Sequence, residues 1–204
     1  MLPMILTIAG LSTWFGGLVP RFGARLLLTA GPLVVAGGYL LLMRPGVGGS
    51  YWTTFFPPLI VLGLGMAISI APLTTAVMGA VGEEQAGVAS GINNAVAWVA
   101  SLLAVAAFGL VMSAAFSRSF RSGLEERGLP PALAERVELE RLAAAAAPPD
   151  LPAAVRATVA ELVDAAFVAG FRRVMGLAAA LAAASAAVAW ATVRERRGRS
   201  PRGP

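Results

Sequence analysis

The chain has 204 residues, of which 57% are apolar and 13% charged, and its formal net charge is +5. A soluble domain carries about 25% charged residues, so the composition indicates a protein surrounded by lipid. The sequence contains no cysteine and no histidine, which excludes disulfides, thiolate metal sites and the commonest general base. We expect no metal, no cofactor and no catalytic residue. The 16 basic residues are all arginine and form no patch interleaved with aromatic residues, so nucleic-acid binding is not expected.

Five apolar segments are long enough to be membrane helices. The predicted spans cover about residues 1–19, 26–43, 53–81, 86–116 and 165–193. No charge interrupts the chain from 53 to 82 or from 86 to 117, and about 20 apolar residues suffice to cross the hydrocarbon. The third and fourth spans exceed that length, so tilt or ends outside the hydrocarbon must absorb the excess. The predicted fold class is an all-α membrane protein with five transmembrane helices.

Residues 117–164 differ from the rest of the chain because they hold six arginines and eight acidic residues. A charge at the centre of a membrane helix costs about 3 kcal/mol, so this segment is not expected in lipid. We expect an extracytoplasmic loop with short helices. One of them has a weak apolar stripe through Leu133, Val137 and Leu142, and another begins near Ala153.

The positive-inside rule sets the expected orientation. Arg21, Arg25 and the five arginines of residues 194–204 lie on one side of the predicted bundle. The other side carries Arg44 and the loop of residues 117–164. The positive-inside rule gives little weight to charges in a loop of that length. We therefore expect a plasma-membrane protein whose disordered, basic C-terminal tail lies in the cytoplasm.

A proline interrupts the third predicted span. Pro72 removes one backbone hydrogen bond and leaves the carbonyl of Ile68 without its partner, which lipid tolerates only where neighbours or cavity water satisfy it. Two interpretations stay open: a packing kink closed by nearby hydroxyl groups, or a bend that faces a substrate. In the second, a mainly apolar cavity is lined by Met66, Ser69, Ile70, Leu73 and Thr74.

The fourth predicted span carries Asn93 and Asn94, the two polar side chains whose transfer into lipid costs the most free energy in any of the five spans. Asn94 and Trp98 share one helix face with two serines, and Gly87 and Gly91 form a neighbouring small-residue face. Two interpretations again stay open. The face serves helix packing with an asparagine anchor, or Asn94 and Trp98 contact a substrate or gate.

Two stretches carry a resemblance to a known family. Residues 63–96, GLGMAISIAPLTTAVMGAVGEEQAGVASGINNAV, form one, and residues 16–31, GGLVPRFGARLLLTAG, form the other. The second is similar to the loop motif G-x-L-a-D-r-x-G-r-r, with Pro20 at the position of the aspartate. The matching residues are Gly16, Leu18, Arg21, Gly23 and Arg25. Both stretches resemble the major facilitator superfamily, and in particular its fourteen-helix branch of drug:proton antiporters.

The resemblance implies that the five spans are the last five helices of fourteen, from the C-terminal half of the bundle. The partners are then the lipid bilayer, the missing N-terminal helices, a hydrophobic small-molecule substrate and protons, with transport by alternating access. Residues 53–81 would line the central path, and residues 26–43 and 165–193 would lie outermost. No predicted span holds an acidic residue, so a proton carrier would lie in the missing helices.

Two other classes of function compete with a transporter. A stand-alone five-helix structural or assembly protein is the alternative, and an in-frame upstream sequence coding nine more spans would argue against it. A membrane enzyme is disfavoured, because without histidine, cysteine or an intramembrane acid the chain lacks the usual nucleophile–base and metal arrangements.

Overall fold

The computed structural model of the chain describes residues 2–48, 50–78, 82–130, 132–135 and 152–193. Every regular element in these residues is a helix, which confirms the all-α fold class. Within these ranges, four helical segments are long and apolar enough to cross a membrane, namely Ala24–Leu41, Tyr51–Thr74, Ala86–Glu126 and Val155–Thr192. The predicted first span corresponds to a shorter apolar helix of 15 residues, which rises about 22 Å and is shorter than the hydrocarbon is thick.

The helices follow one another in chain order as α1 (Leu2–Gly16), α2 (Val19–Phe22), α3 (Ala24–Leu41), α4 (Phe56–Met78), α5 (Ala86–Glu126) and α6 (Ala153–Thr192). A π-helical turn, Tyr51–Phe55, leads into α4, and a 3₁₀ turn, Glu83–Gln85, precedes α5. The chain forms two compact units. The first comprises Met1–Leu41, Phe56–Ala97 and Ala178–Pro204, and the second comprises Leu42–Phe55 and Trp98–Leu177.

In the first unit, α4 packs against both α1 and α3. The helices approach closely at glycines. A Cβ atom added at Gly65 would lie 2.7 Å from the backbone nitrogen of Val35, and one added at Gly63 would lie 3.0 Å from the carbonyl oxygen of Met4. Because larger side chains would push the backbones apart, glycine sets the separation of these helices, as is common in membrane bundles.

In the second unit, α5 and α6 run antiparallel around a buried apolar core. Met112 of α5 packs against Gly170 of α6, and Leu162 of α6 packs beside Gly123 of α5. These two contacts set the register of the helix pair. The core residues are Phe116, Phe120, Leu124, Leu133, Ala134, Val159, Leu162 and Ala166. The largest of these side chains, Phe116 and Phe120, stack with ring centroids 5.7 Å apart. Six of these eight residues lie in residues 117–164, the segment that the charge pattern predicts to be a loop outside the lipid.

Helical structure extends much further into that segment than the predicted short helices. α5 continues to Glu126 and α6 begins at Ala153, so these helices have 41 and 40 residues. The physical reason is an apolar stripe at helical spacing between the charges, which buries one face of each helix. A bilayer core about 30 Å thick holds only about half of either helix.

A glycine cap ends α5. Gly128 has φ +65°, its N–H donates to the carbonyl of Glu125 at 3.0 Å, and the N–H of Leu129 donates to the carbonyl of Leu124 at 2.9 Å. These two bonds form a Schellman motif, in which the residue after the glycine packs back on the last turn. Leu129 does pack against the core that contains Leu124. Leu133 of the predicted apolar stripe is buried in this core, whereas Val137, Leu142 and the predicted tail lie outside the described residues.

Candidate functional site

One exposed face of α4 holds four of the five residues predicted to line a cavity in that span. These residues recur at helical spacing, and their large apolar members are 38% to 47% accessible. They are Met66, Ile70, Leu73 and Thr74. Ile68 and Pro72 are buried on the opposite side of the same helix, which packs against α1 and α3. The face is therefore an open, mainly apolar surface.

Ser69 lies apart from these four residues. Its Oγ donates a hydrogen bond to the carbonyl of Gly65 at 2.8 Å, and it fills the space that a Cβ atom at Gly31 would need. The structure thus places Ser69 at the contact between α3 and α4.

Pro72 is buried, and α4 continues through it. Thr74 Oγ1 donates to the carbonyl of Ile70 at 3.1 Å, and Ser69 Oγ donates to Gly65. A hydroxyl has only one hydrogen to donate, so neither group bonds the carbonyl of Ile68 that the proline leaves open. The hydroxyls of Ser69 and Thr74 therefore satisfy carbonyls one turn before themselves, as serine and threonine commonly do in helices.

The polar residues predicted on the fourth span lie on a surface of α5 that no described residue covers. Trp98 is 72% accessible, and the side chains of Asn93 and Asn94 are exposed and make no hydrogen bond within the described residues. A Cβ atom added at Gly87 or Gly91 would meet nothing within 4 Å. The asparagine face and the small-residue face are both open to a partner.

The predicted loop motif forms the connection between α1, which ends at Gly16, and α3. The carbonyl of Leu18 accepts hydrogen bonds from the N–H groups of Arg21 at 3.1 Å and Phe22 at 3.0 Å, which closes the short α2. Gly23 then adopts φ +79°, a backbone conformation that residues with a Cβ atom rarely adopt. The second glycine of the motif is therefore required by the turn itself.

Arg25 has a partner that sequence analysis missed. Its Nε donates to the carbonyl of Trp190 at 2.9 Å, and its guanidinium carbon lies 4.0 Å from the centroid of the Trp190 ring. Trp190 stands near the end of the last apolar run, just before the arginine-rich terminus, and tryptophan at such a boundary is typical of a membrane interface. The position of Trp190 at this boundary is the sequence feature that could have pointed to the contact.

A second missed feature is an apolar pocket of about 270 Å³ in the second unit. Three phenylalanines line it, Phe55, Phe167 and Phe171, together with the carboxylate of Asp164. Beside the pocket, Arg172 Nη2 donates to the carbonyl of Pro45, which also lines it, at 3.2 Å. Aromatic rings next to a carboxylate suit an apolar or weakly cationic molecule.

The described residues offer no group of three or more histidine, cysteine, aspartate or glutamate side chains that could hold a metal ion. Within the same ranges no polar or charged side chain is buried. The chemistry that these surfaces support is therefore binding through shape, apolar contact and a few hydrogen bonds.

Curated relatives of the chain are resistance and transport proteins. The chain is 34% identical over 130 residues, 61% of its length, to the multidrug resistance protein Stp of Mycobacterium tuberculosis. It is 30% identical over 145 residues, 70% of its length, to the methyl viologen resistance protein SmvA of Salmonella typhimurium. It is 29% identical over 135 residues, 60% of its length, to a triacylglyceride transporter of Mycolicibacterium smegmatis. The chain matches no protein-family profile.

These relatives support a transporter family. The matched segments cover 23%, 29% and 24% of the three relatives, so the chain spans about a quarter of the length of each. Together with four helices in the described residues that are long and apolar enough to span a bilayer, the matches indicate a multi-pass membrane protein related to resistance and transport proteins.

Proposed function

We propose that this chain forms part of the wall of a secondary transporter of the major facilitator superfamily that exports hydrophobic small molecules in exchange for protons. In this proposal the chain supplies the last five of fourteen helices, in the drug:proton antiporter branch. The remaining helices supply the other half of the bundle, and substrate passes by alternating access about a site near the middle of the bilayer.

The observation that carries the proposal is the uncovered surface of α5 from Ala86 to Leu110. Its large apolar residues, including Val96 and Leu103, are 58% to 74% accessible, and the same surface carries Asn94. Lipid alone would cover the leucines and valines, but an asparagine amide in hydrocarbon needs a hydrogen-bonding partner. Further helices, or a substrate between them, would provide that partner, and the curated relatives are about four times as long as the matched segment.

The exposed face of α4 fits the role of a cavity wall. Met66 offers a flexible, polarizable side chain, Ile70 and Leu73 offer apolar contact, and Thr74 already uses its hydroxyl hydrogen within the helix. Such a surface favours apolar molecules of varied shape and gives little hydrogen-bonding selectivity. Proton coupling would then depend on acidic residues in the helices that complete the bundle, because no predicted span of this chain holds one.

A plasma-membrane location with a cytoplasmic C-terminus completes the proposal. Arg25 contacts Trp190 in the first unit, so the arginine-bearing turn lies at the same end of that unit as the last turns of α6. The arginine-rich residues 194–204 follow directly in the sequence, and arginines concentrate on the cytoplasmic side of membrane proteins.

A chimeric transporter tests the proposal. The matching segment of the Salmonella relative is replaced by this chain and expressed in a host sensitive to methyl viologen, with a C-terminal tag to measure the amount in the membrane. We expect the chimera to restore growth in methyl viologen, and the 204-residue chain expressed by itself to restore none.

Two results would contradict the proposal. The first is a chimera that reaches the membrane at the level of the intact relative but gives no resistance and no efflux. The second is equal efflux by the 204-residue chain alone, which would favour a stand-alone protein over one part of a wall.

A further inference from the structure

A polar groove of about 520 Å³ lies between α5 and α6 in the second unit, apart from the surfaces assigned to substrate. Small residues leave the space, among them Gly123, Ala165 and Ala169. The hydrogen-bonding and charged side chains that line it are Arg118, Ser119, Ser122, Glu126, Arg127 and Arg173. All of the serines and arginines can donate hydrogen bonds, and only Glu126 is an anion.

The charges of the groove are not balanced within the described structure. Arg127 Nη1 pairs with Glu161 Oε2 at 3.1 Å, so its charge is compensated. The side chains of Arg118 and Arg173 form no ion pair and no hydrogen bond with any described residue. Glu126 can offset only one of these two guanidinium charges, so the groove keeps a net positive charge and attracts an anion.

The position of the two arginines along the helices suggests where this anion comes from. Arg118 directly follows the uncharged run of α5, and Arg173 directly precedes the uncharged run of α6. Met112 of α5 packs against Gly170 of α6. Because the two helices are antiparallel, Arg173 lies beside α5 about two helical turns before Arg118, nearer the middle of the uncharged run of α5. A long arginine side chain at that depth extends toward the membrane surface, and here it extends into the groove.

We infer that this groove binds the headgroup of an anionic phospholipid, with the phosphodiester held between Arg118 and Arg173. The planar guanidinium fork matches two phosphate oxygens, and the hydroxyls of Ser119 and Ser122 offer further donors. At the edge of an apolar run the lipid headgroup is the phosphate present at the highest local concentration. The inference depends on the chain being embedded in a membrane and is independent of whether it transports anything.

Lipid titration of the purified full chain in detergent micelles, followed by native mass spectrometry, tests the groove. The probes are phosphatidylglycerol and phosphatidylcholine. We expect Arg118→Gln and Arg173→Gln each to weaken phosphatidylglycerol binding about fivefold, and the double variant about 25-fold. Arg44→Gln is the matched control, because it removes the same charge from an exposed residue outside the groove.

A second measurement leaves the arginines intact and so does not depend on how their variants fold. The chain has no cysteine, so Ser122→Cys and Ser50→Cys each introduce a single thiol, one in the groove and one exposed outside it. We expect phosphatidylglycerol in the micelle to slow maleimide labelling at position 122 and to leave labelling at position 50 unchanged.

Three outcomes would overturn the inference. One is equal binding of phosphatidylglycerol and phosphatidylcholine. Another is labelling at position 122 that phosphatidylglycerol does not slow. The third is protection of position 122 by excess inorganic phosphate as complete as that by the lipid, which would make the groove a site for a soluble phosphate. None of these results would bear on efflux by the chimera.

Discussion

The guanidinium of Arg25, in the first turn of α3, lies over the indole ring of Trp190 at 4.0 Å and donates to the Trp190 carbonyl at 2.9 Å. α6 ends at Thr192, so this carbonyl is among the last four of its helix, which lack partners within a helix. Arg25 therefore caps α6 with a charged donor while stacking on one of its last side chains. One residue of the loop motif thus joins the beginning of α3 to the end of α6.

Replacing Arg25 by glutamine should lower the stability of the first unit. Loss of the cation–π contact and the charged hydrogen bond is expected to cost about 1–2 kcal/mol, or a fall in Tm of about 2–8 °C for a chain of this length. Thermal unfolding in detergent, monitored by circular dichroism, measures this change in Tm. Arg21→Gln, which removes an exposed arginine from the same turn, should change Tm little. Equal effects of the two variants would contradict the capping role.

Two glycines test the close approach of α3 and α4. Gly65→Ala places a Cβ atom 2.7 Å from the backbone of Val35, and overpacking of this kind costs about 1–3 kcal/mol. Gly37→Ala on α3 meets nothing within 4 Å and should stabilise the helix by up to about 1 kcal/mol. The two alanine variants are therefore expected to shift the unfolding temperature in opposite directions. A loss of stability in both would argue against specific packing at Gly65.

The core of the second unit makes the charged segment a folded element. Phe120 is 1% accessible, so Phe120→Ala should cost about 3–5 kcal/mol and expose the region around Gly128 to protease. Leu110→Ala on the same helix, at a residue 74% accessible, is the control and should leave the digestion pattern unchanged. Equal digestion of wild type and Phe120→Ala would show that this core does not hold the segment.

The Asn94 side chain should affect folding or transport only when the helix bundle is complete. The side chain is exposed and makes no hydrogen bond within the described residues, so Asn94→Leu should change the stability of the isolated chain by less than about 0.5 kcal/mol. In the chimeric transporter the same change should reduce membrane level or methyl viologen efflux, because it removes the amide from a helix contact or from the cavity. Val99→Leu, on the same exposed stretch, is the control and should be tolerated. If the chimera keeps normal membrane level and efflux with Asn94→Leu, both interpretations of Asn94 are wrong.

The proposed orientation is testable with reporter fusions. Alkaline phosphatase, which is active only outside the cytoplasm, should be active when fused after Gly46 or Gly128 and inactive when fused after Phe22 or Val193. Fluorescent protein fusions should give the complementary pattern. The reverse pattern would place the arginine-bearing turn and the C-terminus outside, against the positive-inside rule.

The exposed face of α4 shows how much of the arrangement of the candidate residues helical spacing could predict. Met66, Ile70, Leu73 and Thr74 share one face because their spacing follows the helical period, which any helix imposes. Ser69 has the same spacing, three residues after Met66 and four before Leu73, but its side chain lies at the contact with α3. Which side of α4 packs depends on where Gly31 and Gly65 let the neighbouring backbone approach, and a single helix carries no such information. The role of all five as a cavity lining stays a prediction.

The sequence by itself determined that the chain is helical and suited to lipid, because uncharged runs longer than the bilayer is thick need every backbone group bonded within a helix. It also singled out Gly23, whose positive φ a local turn requires. Only the tertiary structure decided that the charged segment carries a packed core, that Arg25 meets Trp190, and that Arg118 and Arg173 share one groove. These relationships join residues far apart in the chain, and they depend on helix register, which composition and local periodicity do not specify.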